Sequence, residues 1–289
     1  MNYAQLMIFG ALAILSAVAL WTAWSHGRRH PERRCPNLLE IAIGFVTDFF
    51  DALGIGSFPT STSIFRLRRL VPEELIPGTL NIGHAPAAVA EAVIFVSAVL
   101  VDPVLLGTMT ALAAIGAWLG AGLVLCIPRR GLQWVLGIGT LIGGLLFIAA
   151  NLHVMPLGGE AYALHGLRFA VAATSGLILG MLMAAGVGLF GPCMIILALL
   201  GLHPLAAFPI MMAAGSVQQL VSGIRYLRSD RYAFGPAVGL ALGGGIGAVV
   251  AALIVKSLPV IALRWLVAIV ALYVAQDFLR NAVRQPTAN

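Results

Sequence analysis

Long apolar segments follow one another from Tyr3 to about residue 281, with almost no charge inside them. Full-length runs lie at about 3–24, 78–101, 103–127, 131–151, 204–227, 233–257 and 259–281, and broken ones at 37–67 and 169–201. A helix needs about 20 apolar residues to cross the hydrocarbon layer of a bilayer. A chain of 289 residues built this way is expected to be an all-α polytopic membrane protein, because a helix satisfies its own backbone in lipid. Only 10 % of the residues are charged and 60 % are apolar, whereas a soluble domain carries about 25 % charge. A water-soluble fold needs a polar skin that this composition cannot supply. Soluble enzymes, nucleic-acid binders and disordered chains are thereby excluded.

The net charge of +6 reads as basic residues that flank spans and set orientation, so no nucleic-acid partner is expected. Trp21, Trp24, Trp134 and Trp265 sit near span ends and read as interface anchors. Cys35, Cys126 and Cys193 lie far apart with no CxxC spacing. They offer neither a disulfide framework nor a metal site, and no cofactor is expected. The first run has no basic leader and no small-residue cleavage site, and reads as a retained helix.

The second half of the chain repeats the first. An offset of 132 places Gly44 on Gly176, Gly54 on Gly186, Gly56 on Gly188, Phe58 on Phe190, Pro72 on Pro204, Pro77 on Pro209 and Gly83 on Gly215. With a one-residue slip, Pro128 falls on Pro259 and Trp134 on Trp265. The expected organisation is an N-terminal helix with a basic cytoplasmic loop (1–36), a first repeat (37–151), an extracytoplasmic linker (152–168), a second repeat (169–284) and a tail (285–289). Internal duplication is typical of secondary transporters.

If each broken stretch is a re-entrant hairpin, each repeat is a hairpin plus three transmembrane helices. That is an odd number of crossings, so the repeats are inverted. Arg28, Arg29, Arg33, Arg34, Arg66, Arg68, Arg69, Arg129, Arg130, Arg225, Arg228, Arg231, Arg280 and Arg284 then share one side. Only Arg168, Lys256 and Arg264 lie opposite. Treating the broken stretches as full spans spreads the charge more evenly. The positive-inside rule favours the hairpins, with the N-terminus outside and the C-terminus in the cytoplasm.

Gly54 and Gly56, and Gly186 and Gly188, interrupt helices inside apolar stretches, where freed backbone must face protein or a watery cavity. Pro59 and Pro192 suit the first turn of a new half-helix, and a helix N-terminus attracts anions. Ser57, Thr60, Ser61 and Thr62 add hydroxyls at the first tip, and Cys193 a thiol at the second. The bland alternative is a pair of glycine kinks used for packing. The glycines at 137, 139, 143, 144, 243, 244, 245 and 247 read as small-residue helix packing.

Asp48 and Asp51 lie three apart on one helix face. Each is expected to cost about 2.5–3.5 kcal/mol at a helix centre, so a compensating role is expected: proton coupling, or satisfaction by backbone at the break. Asn81 and His84 follow Pro77 and correspond to Ala213 and Ser216, and Gln218 and Gln219 lie just beyond. These uncharged donors suit an oxyanion. Glu91, seven residues after His84, shares its face as a proton acceptor, with pairing to Arg225 or snorkelling as the alternatives.

The runs Gly44-Phe45-Val46-Thr47-Asp48-Phe49-Phe50-Asp51-Ala52-Leu53-Gly54-Ile55-Gly56-Ser57-Phe58 and Gly186-Val187-Gly188-Leu189-Phe190-Gly191-Pro192-Cys193-Met194 resemble the two signatures of the sulfite exporter TauE/SafE family of permeases. The resemblance extends over about 38–282. This chain departs from the commoner Ala-Pro after the first tip, having Pro59 directly after Phe58. The resemblance implies a bacterial inner-membrane permease for a small sulfur-containing oxyanion such as sulfite or an organosulfonate. With the residues above, it gives an inverted-repeat exporter working by alternating access. The substrate contacts would come from Gly54, Gly56, Ser57, Phe58, Thr60, Ser61, Asn81, His84, Gly186, Gly188, Phe190, Cys193, Ser216 and Gln218. Asp48, Asp51, His84 and Glu91 would couple transport to protons. The partners are the lipid bilayer, the anion and protons, and a homo-oligomer stays open. A passive anion channel and a non-transporting assembly subunit are the alternatives. No HExxH or GxSxG motif points to an enzyme.

Overall fold

The computed structural model describes residues 3–27, 35–52, 56–99, 101–154, 158–188, 190–254 and 260–284. The expected site residue Gly54, the basic loop Arg28–Arg34, Lys256 and the tail lie outside the described residues. Every regular element among the described residues is helical, apart from one isolated bridge between Ala161 and Leu202. The helices are α1 (Tyr3–Gly27), α2 (Leu38–Asp51), α3 (Ser57–Arg68), α4 (Ile76–Gly83), α5 (Ala85–Ala98), α6 (Pro103–Cys126), α7 (Arg129–Asn151), α8 (Gly166–Ala184), α9 (Phe190–Leu199), α10 (Pro204–Ser229), α11 (Phe234–Ile254) and α12 (Val260–Arg284). A single 3-10 turn, Glu73–Leu75, leads into α4.

Local chemistry sets the ends. Asn37 caps α2: its side chain accepts from the Glu40 N–H at 2.8 Å, and Glu40 returns the bond to the Asn37 N–H at 2.9 Å, a reciprocal capping box. Asp102 caps α6 by accepting from the Leu105 N–H at 2.6 Å, with Pro103 in the first helical position. α3 stops at Arg69, which takes the left-handed conformation (φ 52°).

Seven helices among the described residues are long and apolar enough to cross a membrane. One of them, Gly166–Ala184, is expected from the sequence as the inbound half of a hairpin rather than as a full run. At about 1.5 Å per residue, its 19 residues reach nearly across the hydrocarbon layer, whereas the 14 of α2 do not. The run at 78–101 also differs, because it is two helices that meet at His84. Pro86 in the first turn of α5 has no N–H to give to the preceding turn, so the helix breaks there.

α2 lies along α11, α8 along α6, and α7 along α12. α10 runs through the middle and touches α1, α4, α5, α6, α8 and α9. Its apolar window is 83 % buried, against 17 % for α1, which lies at the periphery. Glycine permits the close crossings. A Cβ on Gly247 of α11 would sit 3.1 Å from the Phe45 Cα of α2, and one on Gly180 of α8 would sit 2.9 Å from the Ala113 Cα of α6.

Candidate functional site

The first broken stretch turns inward on a polar knot. α2 carries Asp48 and Asp51 on its inner face, and both are buried. α3 begins at Ser57, with Gly56 as its N-cap. Ser57 donates its N–H to Asp51 Oδ1 at 2.9 Å and its hydroxyl to Asp51 Oδ2 at 3.0 Å. The carboxylate therefore sits on the positive end of α3.

Asp48 has a different partner. The Nδ1 of His84 lies 2.8 and 2.9 Å from its two oxygens, and the Nε2 of His84 lies 2.9 Å from the Ser61 hydroxyl. A carboxylate can only accept, so Nδ1 carries a hydrogen and Nε2 is the position that gains or lends a proton. The break between α4 and α5 is what turns the His84 ring toward α2 and α3. Phe58 covers it, with ring centroids 5.6 Å apart.

The order serine–histidine–aspartate is that of a hydrolytic relay, and the sequence reading did not anticipate it. Ser61 is fully buried inside a helical turn, not on an exposed strand-to-helix elbow. What the geometry provides is a short path for a proton.

A second knot centres on Asn81, which is fully buried. Its Nδ2 donates to the carbonyls of Pro77 (2.8 Å), Ala184 (3.1 Å) and Met183 (3.3 Å). Its Oδ1 accepts from Gln218 at 2.9 Å and Ser222 at 2.8 Å. Tyr226 donates to the Ala184 carbonyl at 2.9 Å. Asn81 thus joins α4, the end of α8 and α10. Sequence reading found Asn81 and Gln218 but missed Ser222 and Tyr226, whose four-residue steps along α10 were the available signal.

The two tips meet. A Cβ on Gly188 would lie 3.2 Å from Pro59 and 3.8 Å from Phe58, and Gly186 takes a positive φ of 96° that favours glycine. Gly215 accepts the Phe190 ring, 3.2 Å from where its Cβ would be.

Three expected contacts are already committed elsewhere. Thr60 donates to the Gly56 carbonyl at 3.0 Å and Ser216 to the Ala213 carbonyl at 3.0 Å, each within its own helix. Cys193 packs into the apolar core as a small hydrophobe.

Glu91 is buried on α5 and neither of its oxygens has a hydrogen-bond partner. It does not pair with Arg225, which instead donates to the Trp118 carbonyl and stacks on the Trp118 ring. The charges that Glu91 feels are those of Asp51 and Asp48. Among the described residues no group of three or more His, Cys, Asp or Glu could hold a metal ion.

A further polar cluster lies at the far end of α3 and was missed. Glu73 is buried and pairs with Arg66, with Arg129 at 3.2 Å and with Gln133 at 2.7 Å. Arg66 also binds Asp277 at 2.7 Å and lies over the Phe278 ring at 4.8 Å. Arg66, Glu73, Arg129, Gln133 and Asp277 line a cavity of about 950 Å³.

No curated protein and no solved structure matches the chain. The model of one family, described as sulfite exporter TauE/SafE, matches residues 2–147. The match takes in α1, which the sequence resemblance had left out, and stops before the second broken stretch. It covers just over half of the 289 residues and contains the Asp48, Asp51, Ser57, Ser61, Asn81, His84 and Glu91 positions. The chain is a multi-pass membrane protein that belongs to the TauE/SafE family of sulfite exporters.

Proposed function

We propose that this protein is a secondary transporter of a small sulfur-containing anion such as sulfite or an organosulfonate. It exports the anion across a bacterial inner membrane by alternating access, with proton coupling. The observation that carries this reading is the buried polar knot at the first tip, where α3 starts. It combines a helix N-terminus, two serines, a histidine and two carboxylates inside the bundle. Polar groups inside a membrane protein are costly and mark pathways. Asp48, Asp51, His84 and Glu91 are the coupling groups, with Ser57, Ser61, Asn81 and Gln218 closest to the anion path.

The organisation we propose is two inverted repeats, 37–151 and 169–284, with the N-terminus outside and the C-terminus in the cytoplasm. Packing supports the duplication. α2 lies on α11 as α8 lies on α6. Gly44 of α2 packs on Leu240, its Cβ position 2.6 Å from the Leu240 Cα, and Gly176 of α8 packs on Met109, 3.5 Å from the Met109 Cα. Gly44 and Gly176 are equivalent by the 132-residue offset, and Leu240 and Met109 by its one-residue slip.

Binding is tested by thermal stabilisation of the purified protein, because a ligand that binds only the folded state raises its melting temperature. Sulfite, thiosulfate or a sulfonate is expected to stabilise it more than acetate or lactate at equal concentration. Greater stabilisation by a carboxylate refutes the sulfur assignment.

A further inference from the structure

We propose that Asp51 is a resident anion at the N-terminus of α3, and that a transported anion takes its place only as Asp51 takes up a proton. This rests on the transport reading above and concerns how the same site is controlled. Ser57 offers two donors at the helix end, its N–H and its hydroxyl, and both go to Asp51. They are the donors an incoming anion would use. The Thr60 hydroxyl is committed to the Gly56 carbonyl, so it does not substitute for them. Two negative groups on the same donors repel each other. A proton on Asp51 removes one charge and converts one acceptor oxygen into a donor.

Glu91 supplies the independent observation. It is buried, both its oxygens lack a partner, and the charges it feels are Asp51 and Asp48. Three carboxyls and one histidine thus share this region. The titratable groups that interact with Asp51 are Asp48 on its own helix, His84 at the α4–α5 junction and Glu91 on α5. α11, packed along α2, contains no charged residue, and α3 has none before Arg66. In the exchange, a proton from the aqueous phase bonds to an Asp51 carboxylate oxygen. The two Ser57 hydrogen bonds to Asp51 break and re-form on the anion. Anion and proton enter together, so the charge of the site is unchanged.

The test is the affinity of the purified full chain in nanodiscs for methanesulfonate, which stays a monoanion throughout, between about pH 5 and about pH 8. One linked proton predicts that wild-type affinity weakens by up to about tenfold per unit rise in pH. Asp51→Asn is expected to bind with an affinity constant within about twofold across that range, since it has no proton to exchange. Asp51→Glu keeps the slope. Ser57→Ala weakens binding at low pH and leaves the slope in place. A wild-type slope in Asp51→Asn, a flat wild-type profile, or loss of all binding in a monodisperse, folded Asp51→Asn overturns the inference and leaves the transport reading standing. Failure of the wild type to bind methanesulfonate, thiosulfate or sulfite at any pH overturns both.

Discussion

The Asp48–His84 pair gives a stability prediction whose size follows from the geometry. Both side chains are buried, and His84 is the only hydrogen-bond partner of the Asp48 oxygens among the described residues. His84→Leu keeps the side-chain volume roughly constant and leaves both carboxylate oxygens without a donor. Breaking a buried pair in this way is expected to cost about 3–5 kcal/mol. Asp48→Leu is milder, because histidine can stay neutral with one N–H unpartnered, at about 1–3 kcal/mol. The double replacement removes both polar groups at once, and an apolar pair of similar volume is often neutral. The double variant is therefore expected to be more stable than His84→Leu alone, with a coupling of about 2 kcal/mol or more between the sites. Reversible unfolding of the four proteins in one detergent measures it. Additive losses, or a His84→Leu protein within about 1 kcal/mol of wild type, refute the reasoning.

Other positions give sharper contrasts of sign. Glu91 makes no hydrogen bond, so Glu91→Gln is expected to leave thermal stability unchanged or raised while altering the pH profile of transport; a marked drop in melting temperature would contradict this. Asn81→Asp keeps the shape but turns a donor that serves three carbonyls into an acceptor. It is expected to destabilise more than Asn81→Ala in the same unfolding assay. On α11, a Cβ at Gly244 would strike the Asp48 carboxylate, 2.8 Å from its Cγ. Gly244→Ala should reduce transport while Gly245→Ala, whose Cβ meets only Pro86 at 3.9 Å, should not.

The helical membrane architecture was legible because bilayer thickness and hydrophobic run length are tied by simple geometry. Pro and Gly positions suggested the proposed duplication because few other residues serve a break or a close crossing. The pairing of His84 with both Asp48 and Ser61 was not legible. These residues are far apart in the chain, and only the helix break at Pro86 aims the ring. Asp51 was read as a coupling residue or as one satisfied by backbone at the break, and its bond from the Ser57 N–H agrees with the second reading; the added bond from the Ser57 hydroxyl was not legible. Cys193 and Ser216 looked informative by position, yet burial and short-range bonding within α10 account for them. Glu73 was missed because it lies between the apolar runs, and its partners Arg66, Arg129 and Gln133 come from separate elements.

Flux tests the central claim most directly. Proteoliposomes holding the full chain are loaded with radiolabelled sulfite and diluted into buffer, with and without an imposed pH gradient. The account predicts protein-dependent sulfite movement that responds to the gradient and is slowed in Ser57→Ala and His84→Gln proteins that remain folded. Sulfite flux no faster than in empty liposomes, or flux that both variants sustain at the wild-type rate, would contradict it.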